Sequence, residues 1–512
     1  MSRKTRSKEE RAASLLRLQV VLLTVVLLTV VLLATSPLTS SAQVIPVKTV
    51  PVASGDQFLL FPSGNPGMGG VSLALPDTLG DPFRNPATAS RVRESYFFAS
   101  PTYYAISDAN GSGRTLPLGT LFRTGDWFGG GSLAIQEVVA GTRDQMTRLW
   151  MWGPPPPRLL SETSGRNLYA MGLAGKYFPD SRISLGISGF YADLSAMDGV
   201  DLLYVMSERI EQSGSFSDLR LGMTKDWADG RALELVLLKG RLRMEHDVHY
   251  VDFVGTDPDP AIGPVPRWNR RVETNRDHTD TWGGHVLYRK PLSTPGWTMA
   301  WSVTANWKDH PKIPNYEIQN IPRDPGDTRA FAAGIGVSRT EGPGRFAAEV
   351  SLEPIRSETW ADAARDTTTV DGDVIPAGEK TVENDFHFLN MVIRAGGALD
   401  YGMATFRAGV QVRSISYELD QFDRIQQTRR DQREDWMEWT PSLGVSLRLG
   451  GADLHYGALL TTGTGRPGVQ WDAQRTLALE AASDFLLAPT GPLTLQEAWV
   501  TTHQLSVVVP LR

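Results

Sequence analysis

The 512-residue chain contains no cysteine, so disulfide frameworks, thiolate metal sites and cysteine nucleophiles are excluded. After residue 34 no apolar run approaches the ~20 residues that a membrane-spanning helix needs. The mean hydropathy is −0.21, which is too polar for a bundle of membrane helices. Long basic runs are also lacking and the net charge is −6, so nothing in the charge pattern indicates nucleic-acid binding.

What the sequence does contain is a recurring period of two. Residues 183–188 and 443–449 alternate cleanly between apolar and small or polar side chains. Residues 169–177 and 406–413 place large apolar residues on one face and small or charged residues on the other. Such alternation is typical of β-strands with two different faces. A membrane barrel satisfies it, because lipid-facing and lumen-facing residues alternate along each strand.

Short and long connections take turns along the chain, which favours a membrane barrel over a soluble sandwich. We therefore predict an all-β fold, a transmembrane antiparallel β-barrel of about 14–16 strands with an N-terminal periplasmic plug. Sixteen strands between residues 92 and 511 are the first choice. Short turns lie near 125–126, 179–180, 228–230, 293–296, 342–344, 400–402 and 450–451, and long linkers at about 141–164, 194–212, 246–275, 308–325, 358–382, 418–434 and 462–498.

The N-terminus has the order of a secretory signal. Residues 1–17 are basic, 18–34 are almost wholly apolar, and small residues lead up to Ala42. We predict a signal peptide at 1–42, with an uncleaved helical anchor as the alternative. Residues 43–90 then form a periplasmic extension and 91–512 the barrel. An even strand number places both ends of the barrel on the periplasmic side, in the outer membrane of a Gram-negative cell.

Aromatic residues gather near the predicted strand ends, where a membrane barrel carries interfacial girdles. Ordinary aromatic packing in a β protein is the alternative. The last strand alternates up to Leu511, although the terminal Phe that assembly machinery often reads is replaced by Arg512. The aromatic residues concerned are Trp127, Tyr177, Phe178, Trp227, Trp297, Trp307, Trp436 and Trp439.

Nothing in the sequence favours catalysis. The eight histidines are scattered and no Gly-x-Ser-x-Gly elbow is present. His246 and His249 lie three residues apart, which puts them on opposite faces of a strand and disfavours metal binding. The acidic stretches 257–260 and 371–373 could hold calcium but fit solvated loops better. We expect a protein that is not an enzyme and that needs neither cofactor nor metal.

Charged residues within the strands are expected to face the lumen, because a charge facing lipid at the midplane costs about 2–4 kcal/mol. Two hypotheses follow: a modestly basic lumen attracts anionic solutes, or a salt-bridged network fixes the barrel. Glu234 and Glu353 are also strand residues whose charges we expect to face the lumen. The lumen-lining candidates are Lys176, Arg220, Arg394, Arg407, Arg413, Arg448 and Glu349.

One local motif, before the first strand, is more specific than the strand pattern. Residues 64–87 combine a glycine-rich lead-in, a short apolar run, an acidic turn and Asn-Pro-Ala. Glycines permit close backbone approach and positive φ; Asn and Pro favour a turn. A simple tight turn before the first strand would explain the Asn-Pro-Ala equally well. The residues that form the motif are Met68, Gly69, Gly70, Ala74, Asp77, Asp81, Asn85, Pro86 and Ala87.

This motif resembles the N-terminal region of the FadL-like outer-membrane proteins, which include fatty-acid and hydrocarbon transporters and PorV-type barrels. The match covers about 25 residues; Phe83-Arg84 departs from the family's aromatic before Asn-Pro-Ala, and Pro76 and Pro82 bracket the acidic position. The resemblance implies a barrel of about 14 strands with a hatch at its periplasmic mouth. The hatch or gate candidates are Met68, Gly69, Gly70, Asp77, Asp81, Asn85, Pro86 and Ala87.

The function that the resemblance implies is passive uptake of hydrophobic or amphipathic small molecules, fatty-acid-like in character. The alternatives are a PorV-type accessory barrel that acts through protein partners in secretion, and a structural barrel without a transport role. Expected partners are outer-membrane lipid and lipopolysaccharide, the barrel-assembly machinery and a hydrophobic small-molecule ligand, but no nucleic acid.

Overall fold

A computed structural model describes residues 48–49, 51–140, 164–200, 207–259, 263–310, 326–363, 365–467 and 495–511. Within them sixteen antiparallel strands follow one another in chain order around a barrel. They are β1 (Tyr96–Ala99 and Thr102–Ile106), β2 (Gly111–Thr124), β3 (Trp127–Ala140), β4 (Ser164–Phe178), β5 (Ile183–Leu194), β6 (Ser207–Asp226), β7 (Ala232–Asp259), β8 (Gly263–Pro291), β9 (Trp297–His310), β10 (Gly326–Glu341), β11 (Gly344–Asp362), β12 (Lys380–Tyr401), β13 (Ala404–Asp423), β14 (Thr428–Leu449), β15 (Ala452–Pro467) and β16 (Leu495–Pro510).

The barrel closes between its first and last strands, and β1 is broken in the middle. Its first segment pairs with β16 from Tyr96↔Pro510 onward, and its second segment continues that pairing to Ile106↔Val500. Pro101 lies at the break and has no N–H to donate to a neighbour. Counted as one broken strand, β1 gives the predicted number of sixteen, and closure leaves no sheet edge within the barrel wall.

Alternate residues face opposite sides of the wall. On β3, Leu133 and Ile135 are 68% and 60% exposed and face outward, whereas Ala134 between them is 5% exposed and faces the lumen. Outward Leu, Ile, Val, Phe, Tyr and Trp side chains recur around the barrel, while buried Ser, Thr, Asn, Gln, Arg and Glu lie on the inside. This combination is the pattern of a membrane-spanning barrel with a polar interior.

Two connections that were predicted to be long linkers are strands instead. The ladder between β7 and β8 continues through the predicted linker 246–275 to Asp259↔Gly263. The ladder between β13 and β14 continues through 418–434 to Asp423↔Thr428. Polar composition misled the prediction, because these strands extend beyond the apolar belt and pair their charges with each other. Most of three further predicted linkers, 141–164, 308–325 and 462–498, lies outside the described residues.

The remaining structure is short. A four-residue helix, α1, spans Asp81–Arg84, and a 3-10 helix spans Pro86–Arg91. A small hairpin joins Thr367–Thr368 to Val374–Ile375 in the connection after β11. No helix among the described residues is long and apolar enough to cross a membrane.

Candidate functional site: the hatch and the lumen

The described part of the N-terminal segment runs inside the barrel. It begins at Lys48, whose ammonium lies 2.5 Å from the carboxylate of Glu438 on β14. Val52 forms a parallel bridge with Gly465 near the loop end of β15. The chain then descends along β1 and β16, where Gln504 donates to the carbonyl of Phe61 at 2.9 Å. Residues 64–87, here called the hatch, lie across the end that carries the short turns.

Glycines in the barrel wall make room for the hatch backbone. A Cβ atom at Gly409 would stand 2.2 Å from the Gly69 nitrogen, and one at Gly396 would stand 2.3 Å from the Met68 carbonyl oxygen. At Gly444 it would stand 2.2 Å from the Pro66 oxygen. Real Cβ contacts are never this short, so only glycine allows the two backbones to approach. The hatch therefore sits in a glycine-lined seat formed by β12, β13 and β14.

The glycine-rich turn of the hatch fits this seat by its own backbone geometry. Gly69 and Gly70 have φ values of +66° and +72°, in the left-handed region that glycine enters without penalty. The Gly69 N–H donates to the Ser442 hydroxyl at 2.8 Å. Met68 is fully buried and packs with Val71. The candidate residues Met68 and Gly69 thus contact the barrel directly, whereas Gly70 is exposed.

A carboxylate from the wall holds the middle of the hatch. Glu349 accepts the N–H groups of Ser72 at 2.9 Å and Leu73 at 2.8 Å. The Arg394 guanidinium lies 3.1 Å from its other oxygen. Both candidates face the lumen, and together they satisfy two backbone donors and pair one buried charge.

The acidic turn of the hatch is an internal network. Asp77 accepts hydrogen bonds from the Ser63 hydroxyl at 2.6 Å and the Gly64 N–H at 2.9 Å. Asp81, at the start of α1, accepts the Asp77 N–H at 2.9 Å. Burial, and next the nearby Asp77 carboxylate, raise the pKa of Asp81 to about 7. These two candidates therefore shape the hatch itself and do not reach the barrel wall through the bonds described.

Asn-Pro-Ala joins the hatch to the first strand. The Asn85 side chain accepts the Ala87 N–H at 3.1 Å and caps the 3-10 helix that Pro86 begins. A Cβ at Gly222 on β6 would stand 2.1 Å from the Asn85 side-chain oxygen. A Cβ at Gly186 on β5 would stand 2.7 Å from the Pro86 carbonyl carbon. The turn is thus also a buried contact with a second glycine seat on the opposite wall.

An ion network anchors the middle of the hatch and the 3-10 helix that follows it. Glu234 on β7 lies 2.5 Å from Arg91 and 2.5 Å from Arg289. Arg289 also donates to the Leu73 carbonyl at 2.6 Å, and Arg91 lies 2.8 Å from Asp226. Sequence reasoning missed Arg91 and Arg289. The two-residue period around residue 289 could have placed it inward, but its partner carbonyl in the hatch has no sequence signal.

Arg220 continues this anchoring on the neighbouring strand. It forms an ion pair with Asp218 at 2.8 Å and donates to the carbonyls of Phe83 and Arg84 at 3.4 and 3.2 Å. Three predicted lumen charges, Arg220, Arg394 and Glu349, therefore share the role of holding the hatch. In this half of the lumen the geometry matches the salt-bridged network hypothesis.

The half of the lumen nearer the long loops is different. Phe386, Phe388 and Tyr417 pack together, with ring centroids 5.5–6.1 Å apart. The Trp436 ring centroid lies 6.0 Å from that of Tyr417 on the same inner wall. The prediction that Trp436 belongs to an outer girdle is therefore wrong. These side chains, called the aromatic wall below, form a buried apolar cluster on the inner face of the barrel, separate from the larger one around Phe98, Phe128 and Tyr169.

On β13 Arg413 lies two inward positions from Tyr417, and its pairing partner Glu438 on β14 lies one inward position from Trp436. Arg413 is 2% exposed and stands directly opposite Glu438, which Lys48 already neutralises. Within the described residues Arg413 forms no ion pair of its own. A buried guanidinium beside an aromatic surface can bind an anionic group whose apolar part lies against the rings.

Two further candidates face the lumen. Arg407 donates to the Ser446 hydroxyl at 2.5 Å, and Ser446 also contacts His455 at 2.7 Å. Arg448 follows the same inward alternation on β14 but is exposed at the short-turn end.

The lumen prediction for Lys176 is wrong. It stands opposite Trp127 on the outer face of β4, with its ammonium 5.1 Å from the Trp127 ring and 5.4 Å from the Phe178 ring. At the end of a strand a lysine can lie along apolar surface and still carry its charge into the headgroup layer. The cost of a charge at the midplane, on which the prediction rested, does not apply there.

A closed antiparallel barrel with an apolar outer belt, a polar interior and an internal hatch defines a membrane β-barrel of the outer-membrane type. No protein-family model matches the chain, and no curated protein matches it.

Solved structures similar to this chain include FadL-type barrels. A Pseudomonas aeruginosa FadL homologue shares 13% identity, covers 88% of this chain and 99% of its own length, with a TM-score of 0.39. The Ralstonia pickettii toluene transporter TbuX shares 10% identity over 87% and 97%, with a TM-score of 0.37. The Pseudomonas putida toluene transporter TodX shares 10% over 87% and 96%, also at 0.37. Because these TM-scores are low, the barrel is assigned from the strand pairing within this chain.

Proposed function

We propose that this protein admits a hydrophobic or amphipathic small molecule through the outer membrane, with the long loops outside and the short turns and N-terminus periplasmic. The observation that carries the proposal is the aromatic wall with Arg413 beside it. A fatty-acid-like molecule would place its chain against Phe386, Phe388 and Tyr417 and its carboxylate at Arg413. The hatch then lies between this position and the periplasm.

The hatch is suited to gating because its contacts with the wall are reversible. It is held by single hydrogen bonds, by the Glu349 and Glu234 networks and by close backbone contact at the glycine seats. None of these contacts continues the strand pairing of the barrel. A displaced hatch would open the short-turn end without unpairing any strand of the wall.

Uptake of a labelled long-chain fatty acid by cells with and without the gene tests this function. Arg413→Gln should lower uptake about tenfold, because a charge-assisted bond to the carboxylate is lost. Arg356→Gln is the matched control, since Arg356 is an arginine on the outer face of β11. Equal uptake with and without the gene, or equal losses in both variants, would contradict the proposal.

A second candidate function is that of an accessory barrel that works through protein partners. The observation that favours it is the length of β7 and β8. Among the described strands, β6 pairs with β7 only as far as Tyr250, and β9 pairs with β8 only as far as Asp280. The ribbon beyond these residues offers backbone edges to which a partner strand can add. Co-purification of a stoichiometric protein partner that is lost on deleting 251–271 would favour this function.

A further inference from the structure

A groove of about 590 Å³ opens on the outer face of the barrel where β1 is broken. It spans β15, β16, β1, β2, β3 and β4, and its floor lies at Pro101. Ser100 and Pro101 do not belong to either segment of β1, although Leu505 still donates its N–H to the Pro101 carbonyl at 3.0 Å. The wall therefore stays closed at this point while its outer surface is indented.

The lower part of the groove is apolar and faces the membrane. Leu116 stands opposite Ile135, and both line the groove at 50% and 60% exposure. Leu505 and Tyr456 form its other side, again opposite each other and about 40% exposed. An acyl chain fits this surface, because apolar side chains that face the bilayer replace lipid contacts at no cost.

The upper part of the groove is a row of polar residues two positions further along each strand. His503, Tyr103, Arg114, Glu137 and Arg166 stand opposite one another in sequence across five strands. On β2 and β3 this row is the first charged one beyond the exposed Leu116, Leu133 and Ile135, so we place it at the border between hydrocarbon and headgroups.

Among the described residues, one cation of this row has no ion-pair partner. Arg114 forms an ion pair with Glu137. Within the described residues Arg166, on the other side of Glu137, makes no side-chain ion pair. Arg114 and Arg166 are two strand spacings apart, roughly 10 Å. One phosphate can therefore contact Arg166 directly while Arg114 stays exposed beside it.

We propose that this groove binds one phosphorylated glycolipid of the loop-side leaflet, with an acyl chain over Leu116, Ile135 and Leu505 and a phosphate at Arg166. The occupant is a lipid because the groove faces the bilayer and combines an apolar floor with a cationic rim at the headgroup border. The site is independent of the lumen, so it can be tested apart from uptake.

The full chain, purified in detergent, is titrated with bisphosphorylated lipid A and with the same lipid lacking phosphates, and bound lipid is counted by native mass spectrometry. We expect one lipid A per barrel and about tenfold weaker binding of the phosphate-free lipid. Arg166→Gln should weaken lipid A binding by a similar factor. Arg329→Gln, which changes an outward arginine far from the groove, should leave it unchanged.

A second pair of variants tests the apolar half. Ile135→Trp fills the groove and should lower lipid A binding several-fold, whereas Leu237→Trp, on the plain outer face of β7, should not. All variants are compared as folded, heat-modifiable barrels. Binding that ignores the phosphates, that survives both Arg166→Gln and Ile135→Trp, or that falls equally in the two control variants overturns the proposal.

Discussion

The carboxylate of Glu349 accepts two consecutive backbone N–H groups, from Ser72 at 2.9 Å and from Leu73 at 2.8 Å. Two parallel bonds from one side chain fix both the position and the direction of the hatch at this point. Arg394 neutralises the same carboxylate at 3.1 Å, so the three groups form one buried unit between hatch and wall. Loss of any member leaves a buried donor or charge without compensation.

Glu349→Gln should therefore loosen the hatch without unfolding the barrel. The amide oxygen can still accept both N–H groups, but the amide NH2 then faces Arg394 and the charge that Arg394 requires is lost, a cost of about 1–3 kcal/mol. Hydrogen exchange at the Ser72 and Leu73 amides should accelerate at least tenfold, while the amides of the barrel ladder exchange as before. Glu358→Gln, on the outer face of the same strand, is the matched control and should change neither set of amides.

The glycine seat gives a prediction that does not depend on charge. Gly409→Ala puts a methyl group 2.2 Å from the Gly69 nitrogen, which forces the hatch out of its seat. The natural chain has no cysteine, so a Met68→Cys substitution provides a single label site at a fully buried position. A hydrophilic maleimide should label Met68→Cys at least about fivefold faster when Gly409→Ala is also present, corresponding to ~1 kcal/mol.

The control for that experiment is Gly172→Ala on β4. A Cβ at Gly172 meets nothing within 4 Å, so this change tests only the effect of alanine on a barrel strand. Equal labelling of Met68→Cys in the Gly409→Ala and Gly172→Ala backgrounds would show that the seat does not hold the hatch.

Much of the barrel could be predicted because its physics is local. The period of two placed most strands within a few residues of their structural bounds, and the sixteen predicted strands are present once β1 is counted as broken at Pro101. The prediction failed where polar strands leave the membrane, as in β7 and β8. There both faces meet water and the apolar alternation that marks a spanning strand ends.

The site was harder to predict because its contacts join residues far apart in the sequence. The charge of Glu349 could be placed in the lumen, but its two bonds to hatch amides depend on how residues 64–87 fold back into the barrel. Lys176 was misplaced for a different reason. It lies on the outer face, but near the end of its strand, where a charge can reach the headgroups at little cost. The inward glycines 396, 409 and 444 were visible in the sequence, but what they accommodate was not.

The hatch should respond to pH through Asp81, whose pKa is raised from 3.8 to about 7 by burial and by Asp77. A carboxyl group with a raised folded-state pKa stabilises the folded hatch fully below about pH 4, and this contribution is lost as pH rises through about 7. Labelling of Met68→Cys, corrected for thiol ionisation, should therefore be faster at pH 8 than at pH 5.5.

Asp81→Asn should remove most of this pH dependence, because the amide cannot ionise and can still accept the Asp77 N–H. The charged groups that act on Asp81 are Asp77, Arg84, Glu234 and Arg289. Asp229→Asn, in a short turn where the side chain is exposed, is the control and should leave the pH profile as it is. A profile that persists in Asp81→Asn would assign the response to another group.

The outer belt predicts how the barrel responds to a charge at different depths in a bilayer. Leu133 lies near the middle of β3 and is 68% exposed on the outer face, whereas Trp127 begins the same strand and is 61% exposed on that face. Leu133→Arg should lower the free energy of unfolding in lipid vesicles by about 2–4 kcal/mol, and Trp127→Arg by only about 0–1 kcal/mol. Urea titrations of the folded, vesicle-inserted chain measure both. Equal small costs at the two positions would mean that this face of the barrel does not contact hydrocarbon.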